Sequence, residues 1–156
     1  MADENIPTLV LSRTGVDPVT GFEKGYLQVQ ETGQIFSTRE RGHGRVSYRV
    51  GTYILRHSIK RTKRRIPCLR PVESGIQTVL IHDAYKDDAG TLEGCVAPGI
   101  IGGEADWSNS ASAMEMLWQA IGGFEEDKKL VRLIVINNVS YLGAQYTREN
   151  WKRLAK

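Results

Sequence analysis

A chain of 156 residues, 40% apolar and 25% charged, is long enough to bury one core and is read as a single folded domain over residues 1–156. No apolar run approaches the roughly 20 residues that span a bilayer, so no membrane span is expected. Two Cys are too few for a disulfide framework or a four-thiolate metal centre. With no C-x-x-C or H-x-x-x-H spacing, neither a metal nor a cofactor is expected. The net charge of +3 conceals an asymmetry. Between Arg39 and Arg70 stand eleven Arg or Lys and one acid, Glu40, whereas the stretch from Glu73 to Asp127 is acidic. The start, Met1-Ala2-Asp3-Glu4-Asn5, lacks the basic and apolar regions of a secretory signal, which predicts cytoplasmic synthesis without a signal peptide.

The first half of the chain reads as short strands with turn signals. Thr8 to Arg13 is rich in β-formers and leads into a turn-rich stretch with Asp17-Pro18 and Thr20-Gly21. Tyr26 to Gln30 alternates polar and apolar residues, and Glu31-Thr32-Gly33 predicts a hairpin turn into Gln34-Ile35-Phe36-Ser37. Arg41 to Gly44 reads as a loop and Val50 to Ile59 as another strand. Thr78 to His82 is apolar enough for a central, buried strand.

The second half changes period. Met114, Leu117, Trp118 and Ile121 recur at i, i+3, i+4 and i+7, which predicts an amphipathic helix over Ser108 to Ile121. Ser112-Ala113-Met114-Glu115 fits a capping box, Ser108 and Ser110 are alternative caps of an earlier turn, and Gly122-Gly123 marks the end. Leu130 to Ile136 is a strong strand, and Thr147 to Leu154 suggests a short C-terminal helix. The expected fold class is α+β, a mostly antiparallel, barrel-like β-sheet domain with one main amphipathic helix.

The candidate reactive residues are His82, at the end of its apolar strand, and Cys95, in Thr91-Leu92-Glu93-Gly94-Cys95-Val96. A thiol attacks a carbonyl as thiolate, and a neighbouring imidazole activates it by taking the proton. A thirteen-residue return brings the two within reach if one strand ends at His82 and the next begins at Cys95. Gly94 leaves the backbone beside the thiol open, and the amides of Gly94 and Cys95 are candidate donors to an oxyanion. Asp83, Asp87 and Asp88 are all candidates to orient the imidazole. The competing interpretation is structural: Cys beside Gly is commonly a small buried hydrophobe, and a strand-end His a structural donor. His43 and His57 have no partner pattern and are read as structural.

Ile81-His82, the T-L-E-G-C-V run and Pro98-Gly99 resemble a family of small uncharacterised phage and bacterial domains with an I-H-x-G-N, Asp-rich loop, T-x-G-C-I core. The likeness extends to Gly25-Tyr26-Leu27, Thr38-Arg39-Glu40 and the Ser-rich start of the helix at Ser110. More distantly the core is similar to L,D-transpeptidase catalytic domains, where an H-G motif precedes S-H-G-C followed by Ile or Val. That resemblance implies Cys95 as nucleophile, His82 as base, Gly94 as the glycine before the nucleophile and Thr91 in the place of Ser. It implies a Cys-His peptidase or acyltransferase acting on peptidoglycan-type peptides. Asp83 after His82, Glu93 before Gly94, and Ala97-Pro98 where the family carries an Arg all depart from that pattern.

The densest cationic run is Lys60-Arg61-Thr62-Lys63-Arg64-Arg65. Lys60, Arg61, Lys63, Arg64 and Arg65 are candidate contacts for an anionic partner: an acidic protein, a cell-wall polymer or nucleic acid. No aromatic interleaving or nucleic-acid motif accompanies them, and a solvated loop or edge strand is the competing reading. The alternative function is a non-catalytic virion or assembly protein on the same scaffold, with this basic surface toward its partner, located in a virion or delivered to the cell wall.

Overall fold

The computed structural model of the chain describes residues 6–16, 22–40, 48–61, 65–77, 79–84, 95–101 and 109–137. Among these residues seven strands form one sheet: β1 (Thr8–Val16), β2 (Glu23–Val29), β3 (Ile35–Glu40), β4 (Gly51–Arg61), β5 (Arg65–Pro71), β6 (Val96–Gly99) and β7 (Leu130–Asn137). One helix, α1 (Ser110–Ala120), accompanies them among the described residues. The order across the sheet is β5-β4-β7-β1-β2-β3-β6. Only β1 and β7 pair in parallel; the other neighbours are antiparallel. The architecture is thus an antiparallel-rich, mixed α+β fold.

Alternation puts one set of side chains from every strand on the concave face. Leu9 and Leu11 of β1 meet Leu27 and Val29 of β2, Phe36 of β3, Leu55 of β4 and Leu133 and Val135 of β7 in a single core. The helical stripe Met114, Leu117, Trp118 and Ile121 joins the same core, so α1 covers the concavity as its 3.6-residue period predicts. Ile81 reaches both edges of the sheet, bridging antiparallel to Leu69 of β5 and parallel to Val96 of β6. The sheet curls into a half-barrel with this segment spanning its two edges.

Turn chemistry agrees with the sequence. Gly33 closes the β2–β3 hairpin at φ +76°, donating its N–H to the Val29 carbonyl at 2.8 Å. After α1, Gly122 and Gly123 take φ +98° and +89°, and the Gly123 N–H reaches back to the Trp118 carbonyl at 2.7 Å.

Two expectations need correction, and one strand goes unread in the sequence. The helix starts at Ser110 with Asn109 as N-cap and no side-chain cap bond, so Ser112 lies inside the helix and the capping box does not form. The Ser110 hydroxyl is occupied elsewhere, as described below. The segment before His82 is buried as expected but is no central strand: its one bridged residue, Ile81, joins the two edge strands β5 and β6. Strand β5 was masked by its charges and by Pro67; a Pro is tolerated in a sheet at an edge, and β5 is the outer neighbour of β4. The proposed helix at Thr147 to Leu154 and the loop at Arg41 to Gly44 lie outside the described residues.

One end of the concave face is polar. Arg13 follows Leu9 and Leu11 on β1, and its guanidinium grips Glu40 of β3 through two bonds of 2.8 Å, Nε to Oε2 and Nη2 to Oε1. Nη2 also donates to the Tyr48 carbonyl, and Glu23 Oε2 lies 3.8 Å from Nε. Gly25 stands opposite Arg13 on β2 and opposite Thr38 on β3. A Cβ there would sit 2.5 Å from the Ser12 carbonyl oxygen, so only glycine lets the three strands close at this level.

Candidate active site

The site is assembled where Ile81 joins the sheet edges. Its two bridges are complete: Ile81 and Leu69 exchange both backbone bonds at 3.0 Å, the Val96 N–H donates to Leu80 at 2.9 Å, and the His82 N–H donates to Val96 at 3.1 Å. Ile81 and Val96 both point into the main core. By alternation, Leu80 and His82 on one segment and Cys95 and Ala97 on the next share the opposite face. The fold therefore brings the two candidate reactive residues to one face of adjacent backbone segments. The same antiparallel register sets Cys68 of β5 across from His82.

Cys95 is tied down at its sulfur. Leu80 faces β6 with its N–H, and Cys95 Sγ accepts that hydrogen at 3.5 Å. The thiol packs with Leu80 and Cys68 in a small apolar cluster, and 4% of the residue is exposed. His82 is 1% exposed. Its Nδ1 lies 2.7 Å from the Asp83 carbonyl oxygen. A carbonyl only accepts, so Nδ1 carries the proton and Nε2 holds the lone pair, the tautomer of a base. Asp83 thus orients the ring through its main chain rather than its carboxylate.

The surrounding groups are set for protonated, uncharged forms. Burial pushes the Cys68 thiol up to about 11, against the pull of Arg70. Tyr48 donates from its hydroxyl to the Val79 carbonyl at 2.8 Å, and burial, then the neighbouring Cys95 and Cys68, hold it well above the usual phenol range. Tyr48 is a fixed donor here, not a base. Neither cysteine is in a disulfide. The Ile81 segment stands between them, so their Cα atoms are two strand spacings apart, roughly 9–10 Å. That exceeds the ~7 Å limit for a disulfide without backbone movement. Among the described residues no three His, Cys, Asp or Glu side chains converge as a metal site.

Sequence reading missed two contributors, Cys68 and Ser110. Cys68 carries no local motif; only the register across Ile81 brings it to His82. Ser110 was read as a helix cap, but it is a clamp. Its hydroxyl donates to the Pro98 carbonyl at 2.6 Å and accepts from the Ala84 N–H at 2.9 Å, with the residue wholly buried. It ties the stretch after His82 to the end of β6 and to the first turn of α1. The Ser110→Ala change leaves both backbone groups buried without this partner and is expected to cost about 1–3 kcal/mol in urea unfolding. A loss below roughly 0.5 kcal/mol, the range of an ordinary surface change, would show that the clamp contributes nothing.

Of the remaining candidates, Thr91, Gly94, Lys63 and Arg64 lie outside the described residues, as do Asp87 and Asp88. Lys60 and Arg61 end β4 and Arg65 opens β5, with Arg61 paired to Arg65 across the ladder. Antiparallel pairing therefore brings Lys60, Arg61 and Arg65 together at one end of β4 and β5. His57 is a core residue, stacked on Phe124 with centroids 5.9 Å apart and tilted on Trp118 at 5.0 Å. Comparison of the chain with protein-family models, with curated proteins and with solved structures found no match.

Proposed function

We propose that Cys95 and His82 are the nucleophile and base of a peptidase or acyltransferase acting on peptidoglycan-type peptides. The observation that carries this reading is the parallel bridge Ile81↔Val96, which puts both residues on one face with His82 Nδ1 committed to Asp83. His82 Nε2 takes the thiol proton, and the thiolate attacks the amide carbonyl. As the tetrahedral adduct collapses, the C–N bond breaks and the same proton passes to the leaving amine. The thioester then transfers its acyl group to water or to a second amine. Because both residues are buried, the face must open for substrate to enter. The peptide class rests on the T-L-E-G-C-V resemblance and on the basic run Lys60 to Arg65, which suits an anionic polymer.

That same burial favours a second reading, a non-catalytic virion or assembly protein in which Cys95 satisfies the Leu80 amide and the basic run Lys60 to Arg65 meets an acidic partner. Purified cell wall and a maleimide probe separate the two. On the first reading the protein releases wall peptides, and Cys95→Ser loses on the order of 10³-fold or more of that rate. Equal activity in parent and variant would sink the assignment. A parent without activity, with Cys95 inert to maleimide until the chain is unfolded, selects the second.

A further inference from the structure

The outer face of β4 and β5, turned away from the core, carries positive charge that the fold does not neutralise. Leu55 and His57 point inward, so alternation sets Arg56, Ser58 and Lys60 outward on β4. Arg70 of β5 stands directly opposite Arg56, and like charges so placed repel. Arg56 is exposed; Lys60 and Arg70 are half-buried. The Arg70 guanidinium is held in place by uncharged acceptors only. Its Nε donates to Ser58 Oγ at 3.2 Å, Nη1 to the Gln77 carbonyl at 2.8 Å and Nη2 to the Ile59 carbonyl at 3.4 Å. Among the described residues no ion pair joins Arg56, Lys60 or Arg70 to a carboxylate. Glu40, the one acid between Arg39 and Arg70, is 1% exposed and bonded to Arg13, so it does not offset this face. The field also reaches Cys68, opposite Ser58: burial raises its thiol, and Arg70 and Lys60 both pull it back. What the face lacks is a set of anionic groups spaced along the strands.

We propose that this face binds the phosphate backbone of double-stranded DNA, through charge and without reading sequence. Arg56 and Lys60, four residues apart on one strand, stand about 13 Å apart. The major groove of B-form DNA is about 12 Å wide, so the two side chains reach phosphates on its opposite walls, and Arg70 adds a third contact beside Arg56. The deep, narrow major groove of an RNA duplex does not offer that span. A single strand is held largely by bases stacked on aromatic rings, and the one aromatic ring of β4 and β5 besides His57, Tyr53, packs against the core instead. An acidic protein needs an apolar centre to its contact, and none of the exposed large apolar side chains among the described residues belongs to β4 or β5. Regularly spaced phosphates need only cations. This binding rests on neither reading of Cys95.

The test titrates the full chain into a fluorescein-labelled, mixed-sequence DNA duplex at neutral pH and follows anisotropy between about 50 and 200 mM salt. Saturable, micromolar binding is expected at the lower salt. Three phosphate contacts predict a slope of about −2.7 in log K against log salt, which is about a fortyfold weakening across that range. Arg56→Gln and Lys60→Gln are each expected to reduce the slope by about 1. Combined, they are expected to weaken binding at low salt at least tenfold while leaving the thermal midpoint in place. Lys24→Gln, at an exposed position on β2, is expected to bind as the parent does. Unlabelled single strand and polyglutamate, a stand-in for an acidic protein, are expected to compete at least tenfold less well than unlabelled duplex. No saturable binding, an affinity independent of salt, or the same loss in Lys24→Gln as in the double variant would overturn the proposal. Competition by single strand equal to that by duplex would overturn it too, and equal competition by polyglutamate would select an acidic protein instead.

Discussion

Replacing Glu40 by Gln is expected to destabilise the fold by about 3–5 kcal/mol, read as a fall in the urea midpoint at neutral pH. The size follows from where the charge sits. Arg13 is 7% exposed and Glu40 1%, so neither is hydrated, and each satisfies the other through two bonds of 2.8 Å. Burial raises the Glu40 carboxyl while Arg13 opposes it, so the pair holds its charges only by mutual contact. Without the carboxylate, Arg13 keeps the Tyr48 carbonyl and the more distant Glu23, at 3.8 Å. An uncompensated guanidinium in the concavity is the costly outcome, not the loss of the pair as such. Removing both charges together, as Arg13→Met with Glu40→Leu, is therefore expected to be less damaging than Glu40→Gln alone. A single variant costing under about 1 kcal/mol would show that water or Glu23 already compensates Arg13.

The pair also shows where sequence reading stops. Thr8 to Arg13 reads as a β-rich run, but with Val10 apolar between Leu9 and Leu11 it has no alternation to mark Arg13 as inward, and a charged residue there reads as the end of a strand. The partner that makes it tolerable, Glu40, is 27 residues away and is supplied by the β1–β2–β3 register. Gly25 was equally silent, since its role depends on Ser12 and Thr38 lying on either side. Periodicity was informative where contacts are local: the stripe of α1, the hairpin at Gly33 and the apolar run of β7 all formed as read. The candidate site lay between these cases. His82 and Cys95 were visible from an apolar run ending in His and from Gly-Cys, because those signals are local. Their relative placement needs the Ile81 bridges, and the antiparallel cross-strand neighbour of His82, Cys68, comes from a strand whose charges and proline hid it.

His57 leads to a second large effect, one that appears on acidification. Its ring is buried between Trp118 and Phe124, and Nδ1 accepts from the Glu125 N–H at 3.2 Å, which places the ring proton on Nε2. Burial first, and then the charge of Lys129, lower its pKa to about 4 against the favourable pull of Glu125. The unfolded chain therefore binds a proton below about pH 6.5 that the folded chain refuses until about pH 4. Stability contributed by the neutral ring is complete above pH 6.5 and is lost as pH falls through that window, by about 2–3 kcal/mol. Glu40 also titrates with the fold, its carboxyl raised by burial against the pull of Arg13, so the parent's total pH profile mixes the two. Comparing the parent with His57→Phe at each pH removes the Glu40 part, because both proteins carry it. The phenyl ring suits the aromatic neighbours, and losing the Glu125 contact adds a pH-independent cost of about 1 kcal/mol. The stability difference between parent and variant is expected to shrink and then reverse in the variant's favour between pH 6.5 and 4. A difference that stays flat across that window would mean that the ring is reached by water on protonation, and that the aromatic stack does not exclude the charge.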